Sequence, residues 1–108
     1  MWFIFPQIDG LGSSPTAKKY AIKSRAEAEA FLAHPILGPR LVACAEAAVG
    51  VRGAASALDV FGSPDDMKLR SSATLFACVS SEGSVFHRIL DRYFQGEKDT
   101  ATLRLLGI

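Results

Sequence analysis

The segment from Val85 to Phe94 constrains the fold of this chain more than any other. Its apolar residues recur at i, i+1, i+4, i+5, i+8 and i+9, and its charged residues lie on the opposite side. This spacing predicts a helix that ends at Gly96 and has one apolar face. Other apolar elements must cover that face. The apolar positions are Val85, Phe86, Ile89, Leu90, Tyr93 and Phe94.

Proline, glycine and capping residues divide the rest of the chain into further short helices. Proline suits the first turn of a helix, and serine or aspartate suits the position before it. Two such starts stand out, the Ser24 to Glu27 capping box and the run from Ser63 to Asp66. The predicted helices are Pro15 (capped by Ser14) to Ile22, Arg25 to His34, Pro35 or Pro39 to Gly50, Ala55 to Phe61, Pro64 (capped by Ser63) to Val79, and a last turn or two after Asp99 or Thr100 through Leu106.

The length fits one domain, because 108 residues lie within the usual range for a single hydrophobic core. Outside the first eight residues, the alternation of apolar and polar residues that marks a strand is absent. We therefore predict a compact all-α single domain over residues 1–108, with six or seven short helices.

The charge balance argues against nucleic acid and membrane partners. Twelve Lys and Arg stand against eleven Asp and Glu, a net charge of +1, with no basic block that could follow a phosphate backbone. No apolar run approaches the roughly 18 residues of a spanning helix. The start, from Met1 to Gln7, lacks the basic region and cleavage site of a signal peptide. We expect a cytoplasmic protein.

Cysteine and histidine give no sign of a metal, a cofactor or a nucleophile. Cys44 and Cys78 lie in Ala-rich apolar stretches, so we expect buried free thiols, or one disulfide if the chain is exported. His34 and His87 are the only histidines, and neither forms a recognisable ligand pattern with the cysteines. His34 ends a predicted helix, where the helix dipole favours partial positive charge.

The helix start at Asp65 is the most polar point of the chain. It combines two acids, two bases and two hydroxyls, and two interpretations stay open. The start of a helix flanked by Lys and Arg could bind an anion such as phosphate. Alternatively, these side chains cap the helix and pair with one another, Asp65 with Lys68 at i, i+3, while Ser72 faces inward and needs a hydrogen-bond partner. The residues are Asp65, Asp66, Lys68, Arg70, Ser71 and Ser72.

Two further places could contribute to a binding site. Arg40 follows Gly38 and Pro39, which would aim its guanidinium from a helix start toward a phosphate or carboxylate, or toward Asp65, Asp66 or Glu46 in an ion pair. The aromatic run from Trp2 to Gln7 would either stack on a base or fill the core.

Several of these stretches, taken together and in order, resemble the bacterial family named domain of unknown function 1810. They are Trp2 to Gln7, Gly10 to Gly12, Tyr20 to Ile22, Leu32 to Leu41, Phe61 to Ser72 and Leu90 to Phe94. The resemblance implies a multihelical, soluble, intracellular fold and no established activity. Members of the family usually carry a further helical segment before the aromatic run, so we expect a shortened chain, which would favour dimerisation.

A second resemblance is to helical families that act on NAD-derived or ADP-ribosylated compounds. It implies that Asp65, Asp66, Lys68 and Arg70 line a pocket that binds a ribose phosphate or cleaves an N-glycosidic bond, with an acid as general base and Trp2 stacked on the base. Our first hypothesis is therefore a small-molecule or nucleotide-binding domain. Its pocket would lie between Trp2 to Gln7, Arg40 and the helix start from Asp65 to Ser72.

The alternative hypothesis is a non-enzymatic interaction or regulatory module. In that case the apolar start would meet a partner protein or a second copy of the chain, and a homodimer is expected. The sequence leaves open whether the protein is an enzyme.

Overall fold

The computed structural model describes residues 5–11, 15, 19, 21–51 and 56–107. Within these residues the chain forms α-helices and no named strand, which confirms the all-α prediction. Most of the predicted helix after Ser14 lies outside the described residues, together with the Ser14 cap. Trp2 lies outside them as well. The described helices are α1 (Arg25–Ala33), α2 (Leu37–Val49), α3 (Ala57–Phe61), α4 (Asp65–Cys78), α5 (Val85–Phe94) and α6 (Thr100–Leu105).

Helix α4 is the centre of the domain. It packs against α1, α3, α5 and α6, whereas α2 packs on α1 and α5. The centroid of the Phe76 ring lies 5.7 Å from that of Phe31 in α1 and 5.4 Å from that of Phe86 in α5. Every residue of α4 from Ser71 to Ala77 is buried, and so is Leu69. Because other helices cover α4 on several sides, its buried residues do not form a single apolar stripe.

Helix α5 has the clearest apolar face, as its sequence predicts. Val85, Phe86, Ile89 and Leu90 are buried against the core. Gln95 adopts a left-handed backbone with a φ of 56°, and its N–H donates to the carbonyl of Leu90. This turn ends the helix one residue before the predicted Gly96.

The chain before α1 contributes a short pairing rather than a helix that reaches Ile22. Ile8 and Ile22 form an isolated parallel β-bridge. The N–H of Ile22 donates to the carbonyl of Gln7 at 2.8 Å, and the N–H of Asp9 donates to the carbonyl of Ile22 at 2.7 Å. Both isoleucines are buried. The predicted helix end at Ile22 is therefore wrong, since its backbone bonds to residues 7 and 9.

Two helix starts use the predicted side-chain caps: Ser24 caps α1 and Asp99 caps α6. Ser84 caps α5, where no cap was predicted. At α4 the prediction that Ser63 caps and Pro64 begins the helix is wrong. Pro64 itself occupies the capping position and Asp65 begins the helix, without a side-chain cap. Among the described residues, no helix has the length and apolar character needed to cross a membrane.

Candidate functional site

At the start of α4, Asp65 and Lys68 pair as the sequence suggests, and the backbone N–H groups of the next three residues are occupied. Asp65 Oδ1 is 3.8 Å from Lys68 Nζ. The N–H of Asp66 donates to the carbonyl of Gly62, and those of Met67 and Lys68 donate to the carbonyl of Pro64. A phosphate at this helix start would need such N–H groups. The geometry therefore favours ion pairing and helix initiation over anion binding.

Asp66 stands apart from Asp65. Its Oδ1 is buried and has no hydrogen-bond partner among the described residues. Ser72 is fully buried, and its hydroxyl likewise lacks a described partner. The expectation that Ser72 finds a hydrogen-bond partner is therefore not met in the described part of the chain. The fully buried Ser72 side chain has no surface to offer a ligand.

Arg70 and Ser71 fasten α4 to the turn that precedes α6. Arg70 Nε donates to the carbonyl of Glu97 at 3.2 Å, and its Nη2 donates to the carbonyl of Lys98 at 3.2 Å. The hydroxyl of Ser71 donates to Asp99 Oδ2 at 3.3 Å. These contacts give both side chains a role in holding the fold together.

The structure does not bring Arg40 to the start of α4. Arg40 is exposed in the first turn of α2, a helix that packs on α1 and α5. Within the described residues it forms no ion pair with Asp65, Asp66 or Glu46. Glu46 Oε1 instead accepts from Arg88 Nη2 of α5 at 2.6 Å. Gln7 contributes its backbone carbonyl to the pairing with Ile22, and Trp2 lies outside the described residues.

An apolar groove is the feature that sequence reasoning missed. It has a volume of about 300 Å³ and is lined by residues of α2, of α3 and of the segment that begins at Phe5. Alanines of α2 form one side, and the aromatic ring of Phe61 forms another. The lining residues are Phe5, Cys44, Ala47, Ala48, Val51, Val60 and Phe61. We call this feature the α2–α3 groove.

Side chains of α5 hold the walls of the α2–α3 groove in place. The Tyr93 hydroxyl donates to the carbonyl of Ala48 at 2.6 Å, and Arg92 Nη2 donates to the carbonyl of Val51 at 2.6 Å. The Phe61 ring meets the Tyr93 ring edge to face, with centroids 6.0 Å apart. The Arg92 guanidinium lies 4.5 Å from the same ring centroid. These contacts connect the α2 side and the α3 side of the groove to α5.

The described lining of the groove suits binding more than catalysis. It contains aliphatic and aromatic side chains and one thiol, that of Cys44, and no acid or histidine. Cys44 and Cys78 are both free and half-buried, so the expectation of two core thiols is only partly met. Apolar contact and dispersion are the forces that such a lining offers.

One signal in the sequence did point toward this place. Helix α2 is unusually rich in alanine, which predicts close packing by a neighbour. The structure shows that Ala45 is covered in this way, while Ala47 stays exposed and leaves room beside Phe61. Which alanines of α2 are covered depends on how other elements pack on that helix. Periodicity within one helix does not predict this packing.

Comparison with known proteins connects the chain to one family and one solved structure. The model of a family described as a protein of unknown function (DUF1810) matches residues 1–106. The crystal structure of the conserved hypothetical protein Rv1873 from Mycobacterium tuberculosis is similar, with 47% sequence identity and a TM-score of 0.94, covering 99% of this chain and 76% of that chain. No curated protein matches the sequence.

Proposed function

The chain belongs to the DUF1810 family, and we propose that it is a small-molecule-binding protein whose ligand site is the α2–α3 groove. One observation carries this proposal. Residues from three separate parts of the chain, Phe5, the second half of α2 with Val51, and the end of α3, line one apolar groove of about 300 Å³. A concave apolar space with rigid walls is the usual form of a small-ligand site.

The size and shape of the groove favour a ligand with one flat, apolar group. Its volume is at the lower end of the range for small-ligand pockets, about 300 to 1,000 Å³, and is too small for a docked helix about 10 Å across. Phe5 and Phe61 present aromatic rings on which a planar group can pack. A nucleobase has these properties, which keeps a nucleotide among the ligands to be tested.

Cleavage of an N-glycosidic bond has less support than binding. Such a reaction needs a carboxylate beside the bond. The described lining of the groove has none, and Asp65 is engaged with Lys68 at the start of α4. We therefore propose ligand binding as the function of this domain, with hydrolysis of NAD-like or ADP-ribose-like compounds as a separate question that an activity assay would answer.

Thermal unfolding with and without probes tests the proposal. The probes are adenosine, AMP, NAD, ADP-ribose and indole. We expect at least one of them to raise the Tm of the wild-type chain, because a ligand that binds only the native state stabilises it. Ala47→Leu fills the groove from an exposed position and should abolish that shift. Ala30→Leu, at an exposed position of α1, is the matched control and should retain it.

Two results would overturn the proposal. One is a wild-type chain whose Tm none of the probes raises. The other is a shift that persists in Ala47→Leu, which would place the ligand elsewhere. Sedimentation of both variants separates the alternative of self-association, since a dimer formed through the groove would dissociate in Ala47→Leu and persist in Ala30→Leu.

A further inference from the structure

The α2–α3 groove presents an apolar surface with very few hydrogen-bonding groups. Its surface is apolar nearly throughout, and its described lining carries no charged side chain. The thiol of Cys44 is the one hydrogen-bonding side-chain group of that described lining, and a thiol is a weak donor and a weak acceptor. A charged or strongly polar group placed against this surface would lose its water without gaining a partner.

The backbone carbonyls of two lining residues already take part in the fold. The carbonyl of Ala48 accepts from the Tyr93 hydroxyl, and the carbonyl of Val51 accepts from Arg92 Nη2, both at 2.6 Å. Cys44 lies inside α2, where backbone groups bond along the helix. The backbone of these residues therefore does little to recognise a polar ligand.

Aromatic side chains and a small volume set the shape of the group that the groove can bury. Phe5 and Phe61 belong to the lining, and the Phe61 ring meets the Tyr93 ring edge to face, with centroids 6.0 Å apart. The volume of about 300 Å³ is at the low end for small-ligand pockets, and the groove is open to solvent. A flat ring can pack on these side chains while the rest of its molecule stays in water.

We propose that the α2–α3 groove binds a hydrocarbon aromatic ring of an uncharged ligand, and not a nucleobase. This inference rests on the proposed function, because it names the chemical class of ligand that the groove accepts. A benzene-type ring has no hydrogen-bonding atom at its edge, so its burial here loses no hydrogen bond to water. A purine carries nitrogen atoms in both of its rings. Whichever ring enters the groove, a polar atom is buried without a partner.

Three bicyclic compounds of the same outline test this choice: indole, benzimidazole and purine, all uncharged in neutral solution. The nitrogens of indole and benzimidazole lie in one ring, so the hydrocarbon ring can enter the groove and leave them in water. We expect these two compounds to bind with similar affinity. Purine should bind at least about tenfold more weakly than benzimidazole, the factor expected for one ring nitrogen buried without a partner.

NMR titration of the ¹⁵N-labelled wild-type chain measures the three dissociation constants from the amide signals of the lining residues. Ala47→Leu is the matched blocking variant, because Ala47 is exposed and lines the groove, so the larger side chain fills the groove without entering the core. It should abolish binding of indole and benzimidazole. Ala30→Leu, an exposed position of α1, should bind both as the wild type does.

The outcomes separate this inference from the proposed function. A purine affinity equal to or above that of benzimidazole, and lost in Ala47→Leu, would overturn the inference and leave the groove as the ligand site. Failure of indole and benzimidazole to bind the wild type would overturn the inference whatever purine does. Binding of these two compounds that persists in Ala47→Leu would overturn both proposals, because the ligand would then lie elsewhere.

Discussion

The hydroxyl of Tyr93 donates a hydrogen bond of 2.6 Å to the carbonyl oxygen of Ala48. Tyr93 belongs to α5, and Ala48 belongs to the wall of the α2–α3 groove. The Tyr93 ring also contacts the Phe61 ring edge to face. This one side chain therefore joins two walls of the groove to the helix with the strongest apolar face.

Replacing Tyr93 by phenylalanine should loosen the groove without emptying the core. We expect Tyr93→Phe to lower the free energy of unfolding by about 1 kcal/mol, because the hydroxyl and the Ala48 carbonyl lose their bond. Urea unfolding measures this loss. Binding of any probe that raises the Tm of the wild type should weaken as well, since the wall is less fixed. Unchanged stability and unchanged binding would show that the bond does not shape the groove.

Ser71 and Ser72 are neighbours in α4 and should respond oppositely to alanine. Ser71→Ala removes bonds to Met67 and Asp99, so we expect a loss of about 1 kcal/mol. Ser72→Ala removes a buried hydroxyl that has no described partner, so stability should stay constant or rise by up to about 1 kcal/mol. Urea unfolding of the two variants measures both changes in the free energy of unfolding. A clear loss of stability in Ser72→Ala would mean that its hydroxyl is bonded after all.

Asp99 should be the most sensitive polar residue of the domain. Its Oδ2 accepts from the N–H of Thr102 at 3.0 Å and from the Thr102 hydroxyl at 2.5 Å, and Thr102 is fully buried. Asp99→Ala removes the cap of α6 and leaves that hydroxyl unsatisfied, for a loss of about 3 kcal/mol. Glu82→Ala, at an exposed acid, is the control and should change stability little. Equal losses of stability in Asp99→Ala and Glu82→Ala would argue against a stabilising role for the hydrogen bonds between Asp99 and Thr102.

Arg70 distinguishes a structural role from a role in ligand binding. Arg70→Ala loses the bonds to the carbonyls of Glu97 and Lys98, so we expect a loss of about 1 to 2 kcal/mol in unfolding free energy. The affinity for any probe of the groove should stay within about twofold of the wild type, because Arg70 does not line it. Isothermal titration measures the affinity. Loss of binding in a folded Arg70→Ala would support the predicted site at the start of α4.

Local sequence patterns predicted the helices well, because caps and apolar spacing act within one turn. Ser24 and Asp99 cap their helices as expected, and α5 buries the predicted face. The misplaced helix end at Ile22 has a cause outside the local sequence. Ile22 leaves the helical conformation because its backbone pairs with residues near Ile8, and this pairing joins positions 14 residues apart.

The candidate site was harder to predict, because polar residues that cluster in the sequence can stabilise the fold instead of binding a ligand. Arg70 and Ser71 turn toward the α5–α6 connection, which periodicity within α4 does not show. The α2–α3 groove joins Phe5, Ala47 and Phe61, each of which is ordinary in its own segment. Only the packing of the helices brings them together. His34 ends α1 as predicted, and its Nδ1 also accepts from the N–H groups of Ile36 and Leu37 at 3.1 Å, a cap of α2 that the spacing of residues does not predict.

NMR mapping of probe binding locates the ligand site on the chain itself. The wild-type chain, labelled with ¹⁵N, is titrated in separate samples with adenosine, AMP, NAD, ADP-ribose and indole. We predict saturable shifts for at least one probe, concentrated at the amides of Cys44, Ala47, Ala48, Val51, Val60 and Phe61. Shifts centred on Asp65 to Ser72, or no saturable shift with any of the probes, would contradict the proposal that the α2–α3 groove binds the ligand.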